Sequence, residues 1–348
     1  MGEPVKGARK AFGIDMLLLA ALLVLVVLHL GVSRESPDFG TAWRALWSML
    51  GIGDGVDPID EAIVAQFRLP RLVVAVFGGA ALGLAGAVMQ AVFRNPLASP
   101  DIVGTAAGAA FGGAIAIVTK LTAVFVLALP IASLSGAMLV TWLVFVLGGV
   151  GGRFSTTGLL LAGVALNTLV GALTTFVVSL SFANYTASSE VLFWLMGGLD
   201  RASWTSAQIT VAGCVLFGGL IAVRVRDLDL LTLRDDSAHG LGLDAVRARR
   251  WLLWFACGLT ATTVANTGGI AFLGLVVPHV ARLMVGPSHR ALLPASALLG
   301  ALLLVGADLV CRNTPLAWNL RLGIITSAIG APYFLYLLAR HRRGEALS

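Results

Sequence analysis

The chain has 348 residues, 58% of them hydrophobic and only 12% charged, with a formal net charge of +6. That positive balance does not argue for a nucleic-acid partner: cytoplasmic loops of membrane proteins collect Lys and Arg, and no soluble segment interleaves basic with aromatic residues. A bilayer-crossing helix needs about 20 apolar residues, whereas barrel strands alternate over about 10; the long, uniform runs rich in Leu, Ala, Val and Gly therefore predict an all-α, polytopic integral membrane protein.

In chain order the runs give ten expected transmembrane helices, at about 16–33, 70–92, 102–118, 122–147, 156–180, 204–223, 251–267, 270–285, 291–311 and 322–340. Lys6, Arg9 and Lys10 ahead of the first run mimic a secretory signal. A run of about 18 residues is long for a signal core and no small-x-small cleavage site stands out, so it is read as a retained helix. The second run holds Gly79-x-x-x-Gly83, and the third holds Gly104, Gly108 and Gly112. Small residues at this spacing let helix backbones approach closely, and packing within the chain is expected of them rather than a subunit interface. Between the seventh and eighth runs, Asn266-Thr267-Gly268-Gly269 breaks one long apolar stretch, as a re-entrant turn or a short extra helix. Cys214, Cys257 and Cys311 lie in or beside apolar runs without CxxC spacing, and read as small core residues.

The sixth and seventh runs are separated by a different kind of sequence. From Arg224 to Arg250, 11 of 27 residues are charged. Such an island must sit in water, and it is long enough to be a docking surface. Ten spans put both termini on one side. With the termini inside, 16 of the 24 Lys and Arg fall on the inner side and 8 on the outer, a bias that places the island in the cytoplasm.

Chemistry of other kinds is missing. The chain has no GxxxxGKS/T phosphate loop, no HExxH and no GxSxG, and its five histidines form no ligand pair at helical spacing, so no nucleotide, metal or catalytic site is expected. A charge near the bilayer centre costs roughly 2.5–3.5 kcal/mol, and ion-coupled carriers retain such groups for function. Here only Asp308 falls inside an apolar run, near its outer end, with Arg282 near the inner end of another. That weakens a proton-driven carrier and leaves an uncoupled channel open. The economical reading is a pathway without its own engine, carrying a handle for a motor on another polypeptide.

Four blocks then point one way. The first is Arg68-Leu69-Pro70-Arg71, with Gly86-Ala87-Val88-Met89-Gln90 and Arg94-Asn95-Pro96-Leu97-Ala98-Ser99-Pro100-Asp101-Ile102-Val103-Gly104. The second is Leu161-Ala162-Gly163-Val164-Ala165-Leu166-Asn167, with Phe193-Trp194-Leu195-Met196-Gly197-Gly198-Leu199. The third is Gly274-Leu275-Val276-Val277-Pro278-His279-Val280-Ala281-Arg282, with Gly286-Pro287-Ser288-His289-Arg290 and Leu292-Leu293-Pro294, and the last is Gly330-Ala331-Pro332-Tyr333-Phe334-Leu335. In this order, over about residues 16–340, they resemble the FecCD family, permease subunits of bacterial importers for iron-siderophores, haem and vitamin B12. The resemblance implies a type II ABC importer permease, one transmembrane domain over 1–348, in the inner membrane with both termini cytoplasmic. It implies a second permease subunit, two cytoplasmic ATPases that bind ATP and Mg, and a periplasmic binding protein. No cofactor is expected in this chain itself.

The resemblance also assigns residues. Asp235, Asp236, Ser237, Ala238, His239, Gly240, Leu241, Gly242 and Leu243 match the family's cytoplasmic coupling segment, within about 224–250. Arg68, Arg71 and Arg312 match outer arginines that pair with acidic residues of the binding protein, a geometry suited to bidentate carboxylate contact. The second and fifth spans line the family's pathway, which makes Met89, Gln90, Asn167, Thr168, Thr174 and Thr175 its polar or flexible candidates here. Thr and Asn in membrane helices also bond simply to nearby backbone. Two departures stand out. Asn319-Leu320-Arg321-Leu322-Gly323 replaces a more usual Glu-Leu-Pro, so Arg321 joins the expected docking set or meets an anionic substrate, and Thr267-Gly268-Gly269-Ile270 replaces a Gly-Pro-Ile. The expected cargo is an iron chelate, haem or a ferric siderophore, with vitamin B12 as the alternative within the class and an ATP-independent channel or carrier outside it.

Overall fold

Uniform apolar composition makes helix the only open-ended way to satisfy backbone groups in lipid, and the chain is built accordingly. The computed structural model describes residues 3–34, 37–52, 56–148, 156–182, 185–233, 235–315, 318 and 320–345, and among them there is no strand. The helices are α1 (Glu3–Gly31), α2 (Phe39–Met49), α3 (Pro58–Ile63), α4 (Leu69–Phe93), α5 (Thr105–Val118), α6 (Leu121–Val124), α7 (Ala128–Gly148), α8 (Thr156–Ser181), α9 (Tyr185–Leu195), α10 (Trp204–Val223), α11 (Val225–Leu231), α12 (Asp235–Gly240), α13 (Ala245–Thr267), α14 (Leu273–Val285), α15 (His289–Asn313) and α16 (Leu322–Glu345). A π-helical turn, Val64–Arg68, joins α3 to α4, and a 3-10 turn, Pro100–Val103, precedes α5.

Each of the ten expected runs overlaps a helix, α1, α4, α5, α7, α8, α10, α13, α14, α15 or α16, although the run 102–118 begins in the 3-10 turn and the run 122–147 is broken between α6 and α7. Six of the described spans are long and apolar enough to cross a membrane by themselves, while α5, α14 and the apolar part of α16 are shorter. At about 1.5 Å per residue, the 13 residues of α14 reach only about two-thirds of a bilayer core. The break before it is a turn: α13 ends at Gly268 (φ +68), and α14 starts after Phe272 (φ +63).

The core is organised around α4, 72% buried over its best apolar window, whereas α1 is 17% buried and lies at the periphery. Lipid offers no hydrophobic drive between helices, so close van der Waals packing must hold them. Glycine supplies it. A methyl at Gly79 would strike the carbonyl of Gly300, and one at Gly83 that of Ser296, which seats α4 against α15. Gly108 and Gly112 meet Gly136 and Ala132 in the same way, joining α5 to α7. These glycines pack inside the chain. Gly104 differs: it sits at φ +80 and ends the 3-10 turn instead of lying in α5.

The Thr-rich α13 runs through this core. Thr260, Thr262, Thr263 and Thr267 are buried, and their hydroxyls donate to carbonyls three or four residues back. A helix polar in composition is thus made self-sufficient in an apolar surround. Cys257 is buried in the same helix, with Cys214 and Cys311 half-buried elsewhere.

Candidate functional site

Two ends of the molecule gather the charged residues. At one end, a cavity of about 900 Å³ opens between α4, α9, α10 and the ends of α15 and α16, lined by five arginines, Arg68, Arg71, Arg201, Arg312 and Arg321, and by Glu190 and Asp200. Asp308 is fully buried beneath it. Arg71 grips that carboxylate in a bidentate pair, Nε to Oδ2 at 2.8 Å and Nη2 to Oδ1 at 2.8 Å. His29 Nε2 meets Asp308 Oδ2 at 2.8 Å. A buried charge is tolerable only when paired and hydrogen-bonded, and Asp308 has both partners. Arg71 also donates through Nη1 to Asp200 at 3.1 Å, and Asp200 in turn binds Arg321, whose guanidinium stacks 4.5 Å from the Phe193 ring centroid.

This geometry corrects part of the sequence reading. Arg68 was expected to present its charge outward. It is 3% exposed, and the π-helical turn aims it inward, where Nη1 and Nη2 donate to the carbonyls of Leu30 and Pro37, each at 2.7 Å. It staples the connection after α1. Arg71 and Arg321 do line the cavity, but as members of an internal ion network. Arg312 is half-buried and donates to the His29 carbonyl at 3.1 Å. Arg201, which carried no expectation, is exposed and pairs with Glu190 at 2.8 Å.

At the opposite end lies the charged island. The short helices α11 and α12 fill it, and α12 ends in a Schellman motif: Leu243 N donates to Ala238 O at 3.1 Å and Gly242 N to His239 O at 2.9 Å. The motif needs a left-handed residue after the helix, which is why glycine stands at 242 (φ +82). Ala238 and Leu243, the residues at the two ends of the motif, are both buried in the same apolar cluster. Ser237, His239, Gly240, Leu241 and Gly242 are exposed. The segment thus divides into two anchors and five outward residues. Asp235 and Asp236 lie in α12 by backbone; their side chains fall outside the described residues.

Of the expected pathway residues, the structure keeps some on an open face and withdraws others. Met89 has no exposure, and Gln90 is 3% exposed with its amide donating to Leu275 O at 3.1 Å. Both are core residues of α4, which corrects their assignment. On α8, Thr174 is also buried, its hydroxyl bonded to Val170 O at 2.8 Å, so it too leaves the open face. Asn167 is half-buried and holds the 3-10 turn through Asp101 O at 2.9 Å. Thr168 and Thr175 are exposed, in line with Leu161, Val164, Phe176 and Leu180 on one uncovered side of α8.

Sequence reasoning missed the part played by three residues that organise the end carrying the charged island. Arg94, in left-handed conformation after α4 (φ 49), donates from Nε to Leu231 O at 2.7 Å and from Nη2 to Leu233 O. Asp229 accepts from the backbone N of His289 at 2.9 Å and from its Nδ1 at 2.7 Å. The one signal in the sequence was a basic residue at a helix C-terminus, where carbonyls lack partners.

Comparison with known proteins agrees with this architecture. The model of the FecCD transport family matches residues 21–340. A cobalamin import system permease protein of Halobacterium salinarum is 42% identical over 293 residues, 84% of this chain and 77% of its own length. The Fe(3+) dicitrate transport system permease protein of Escherichia coli K12 is 39% identical over 320 residues, 91% and 95% of the two chains. A hemin transport system permease protein of Yersinia pestis is 35% identical over 332 residues, 92% and 94%. A solved structure described as a metal-chelate type ABC transporter in an inward-facing conformation superposes with a TM-score of 0.80 at 29% identity, covering 94% of this chain and 99% of that one. With ten helices in the expected order, an arginine-lined cavity at one end, an exposed charged segment at the other and a family match over nearly its whole length, this chain belongs to the FecCD transport family of membrane permeases.

Proposed function

We propose that this permease carries an iron chelate, haem or a ferric siderophore, inward across the bacterial inner membrane, with both its termini in the cytoplasm. Two copies form the pathway between them, each turning the uncovered side of α8, with Thr168 and Thr175, toward it. Two separate ATPases, binding ATP and Mg, dock on the inner segment; a periplasmic binding protein docks over the outer cavity. In this reading the chain is not an enzyme and holds no cofactor of its own.

The observation that carries the reading is the inner segment. A chain with no phosphate loop places Ser237, His239, Gly240, Leu241 and Gly242 in the open while Ala238 and Leu243 anchor them. That is the form of a preshaped docking element. On the outer side, five arginines stand against Glu190, Asp200 and the Asp308 carboxylate beneath them, a formal excess of two positive charges, which suits carboxylate-bearing chelates or an acidic protein surface. The 42% identity to a cobalamin permease supports vitamin B12 as the second reading.

Binding-protein-dependent uptake of haem, several ferric siderophores, ferric citrate and cobalamin, measured side by side in proteoliposomes, tests the cargo. Uptake of an iron chelate is expected. Uptake of cobalamin alone would replace the first reading by the second, and full uptake without the ATPase would overturn both.

A further inference from the structure

The two charged ends are joined by one helix pair. Among the described residues, helices α4 and α15 form one of the two most extensive helix pairings, alongside α5 and α7. They run antiparallel in a constant register: Arg71 pairs with Asp308, Gly79 meets Gly300, and Gly83 meets Ser296. From Arg71 to Arg94 the rod is about 35 Å long at about 1.5 Å per residue, close to the depth of a bilayer core.

At its inner end each helix grips α11. From the end of α4, the Arg94 guanidinium satisfies Leu231 O at 2.7 Å and Leu233 O just beyond. These belong to the last turn of α11 and the residues after it, whose carbonyls have no partner within the helix. From the start of α15, His289 gives both its backbone N and its Nδ1–H to Asp229, at 2.9 and 2.7 Å. The His289 ring has no exposure, while the Asp229 side chain that it meets remains partly open to solvent. Thus α11, the first helix of the inner segment, hangs from both members of the rod by charge-assisted bonds, which are about twice as strong as neutral ones. At the outer end the same two helices are locked by Arg71–Asp308 at the floor of the arginine cavity.

We propose that the α4–α15 pair is a transmission strut between the outer cavity and the inner segment, and that Arg94, Asp229 and His289 are the positioning residues that connect the strut to α11. The proposal rests on the importer reading given above. A shift of the rod along its axis moves α11 with it, because two independent grips on one short helix leave it no freedom to lag. Loss of either grip leaves α11 held only by the other and by its buried Leu228 and Leu231, so that it follows the rod less fully.

The test uses the complete importer, permease with ATPase and binding protein, and reads the ratio of binding-protein-stimulated to basal ATP hydrolysis. In Arg94→Ala and in His289→Ala this ratio is expected to fall about fivefold or more, the size of an ordinary coupling energy, with basal hydrolysis kept. Arg94→Lys, which keeps the charge but offers one donor nitrogen in place of two, and His289→Asn, whose amide can replace Nδ1–H, are expected to restore part of it. The two alanine variants act from different helices, so if one fails to assemble the other still decides. A wild-type ratio in the assembled variants, or basal and stimulated rates falling in proportion, would overturn the strut. Absence of any stimulation in the wild-type complex would instead overturn the importer reading.

Discussion

The outer and inner ends of this permease are both rich in charge, yet they spend it differently. Outside, Arg68 and Arg71 are turned inward, onto carbonyls and onto Asp308, and Arg321 is held by Asp200. Inside, the exposed residues Ser237 and His239–Gly242 carry few internal obligations, and the fold is secured behind them by a Schellman turn and two buried apolar anchors. The lesson is that an arginine beside a cavity is first a structural element. The exposed segment leaves its outward residues uncommitted to the fold, whereas the arginines at the cavity are engaged by it.

Substitutions can break this contrast, and the largest effect is expected at Asp308. Asp308→Ala leaves the Arg71 charge without its buried partner, which costs about 3–5 kcal/mol, and thermal unfolding in detergent should show it. Unchanged stability would mean that the outer network holds nothing together. Arg68→Ala comes next, at about 1–3 kcal/mol, since two buried carbonyls lose their donor. Here the expected change is in stability, and binding-protein capture per folded molecule should stay near wild type. Loss of capture at full stability would return Arg68 to the docking set. Gly242→Ala, at the inner end, meets open space around its Cβ but must adopt φ +82, at a cost of about 1–2 kcal/mol. Transport per ATP hydrolysed should drop while the protein still inserts and folds. The smallest effect is Arg201→Ala: its pair with Glu190 is largely solvent-exposed, and such pairs contribute about 0–1 kcal/mol. Stability should hold, while capture weakens most at low salt, where exposed charges are least screened.

The contrast also explains what could be read in advance. The ten helices were legible because each is a long apolar run, and the inner segment because it breaks that pattern with charge. Sidedness was not legible. A helix apolar all round shows no preferred face, so nothing in the composition of α4 reveals that Met89 and Gln90 point into the core, or that Thr174 is covered while Thr175 is open. Nor could spacing show that a π-helical turn rotates Arg68 away from the surface, since that turn has no sequence signature of its own. The Asp229–His289 pair joins residues 60 positions apart, brought together by the packing of α11 against the start of α15.

The central claim is that the exposed part of the inner segment is where a separate ATPase docks. Site-directed cross-linking in the assembled importer tests it most directly, with a cysteine placed by Leu241→Cys, 54% exposed in the native chain, and outer and buried controls at Arg201→Cys and Leu243→Cys, the latter position being 8% exposed. The account predicts a permease–ATPase cross-link from position 241 and none from 201 or 243. An ATPase cross-link from 201, or none from 241 in a complex that still hydrolyses ATP, would contradict it.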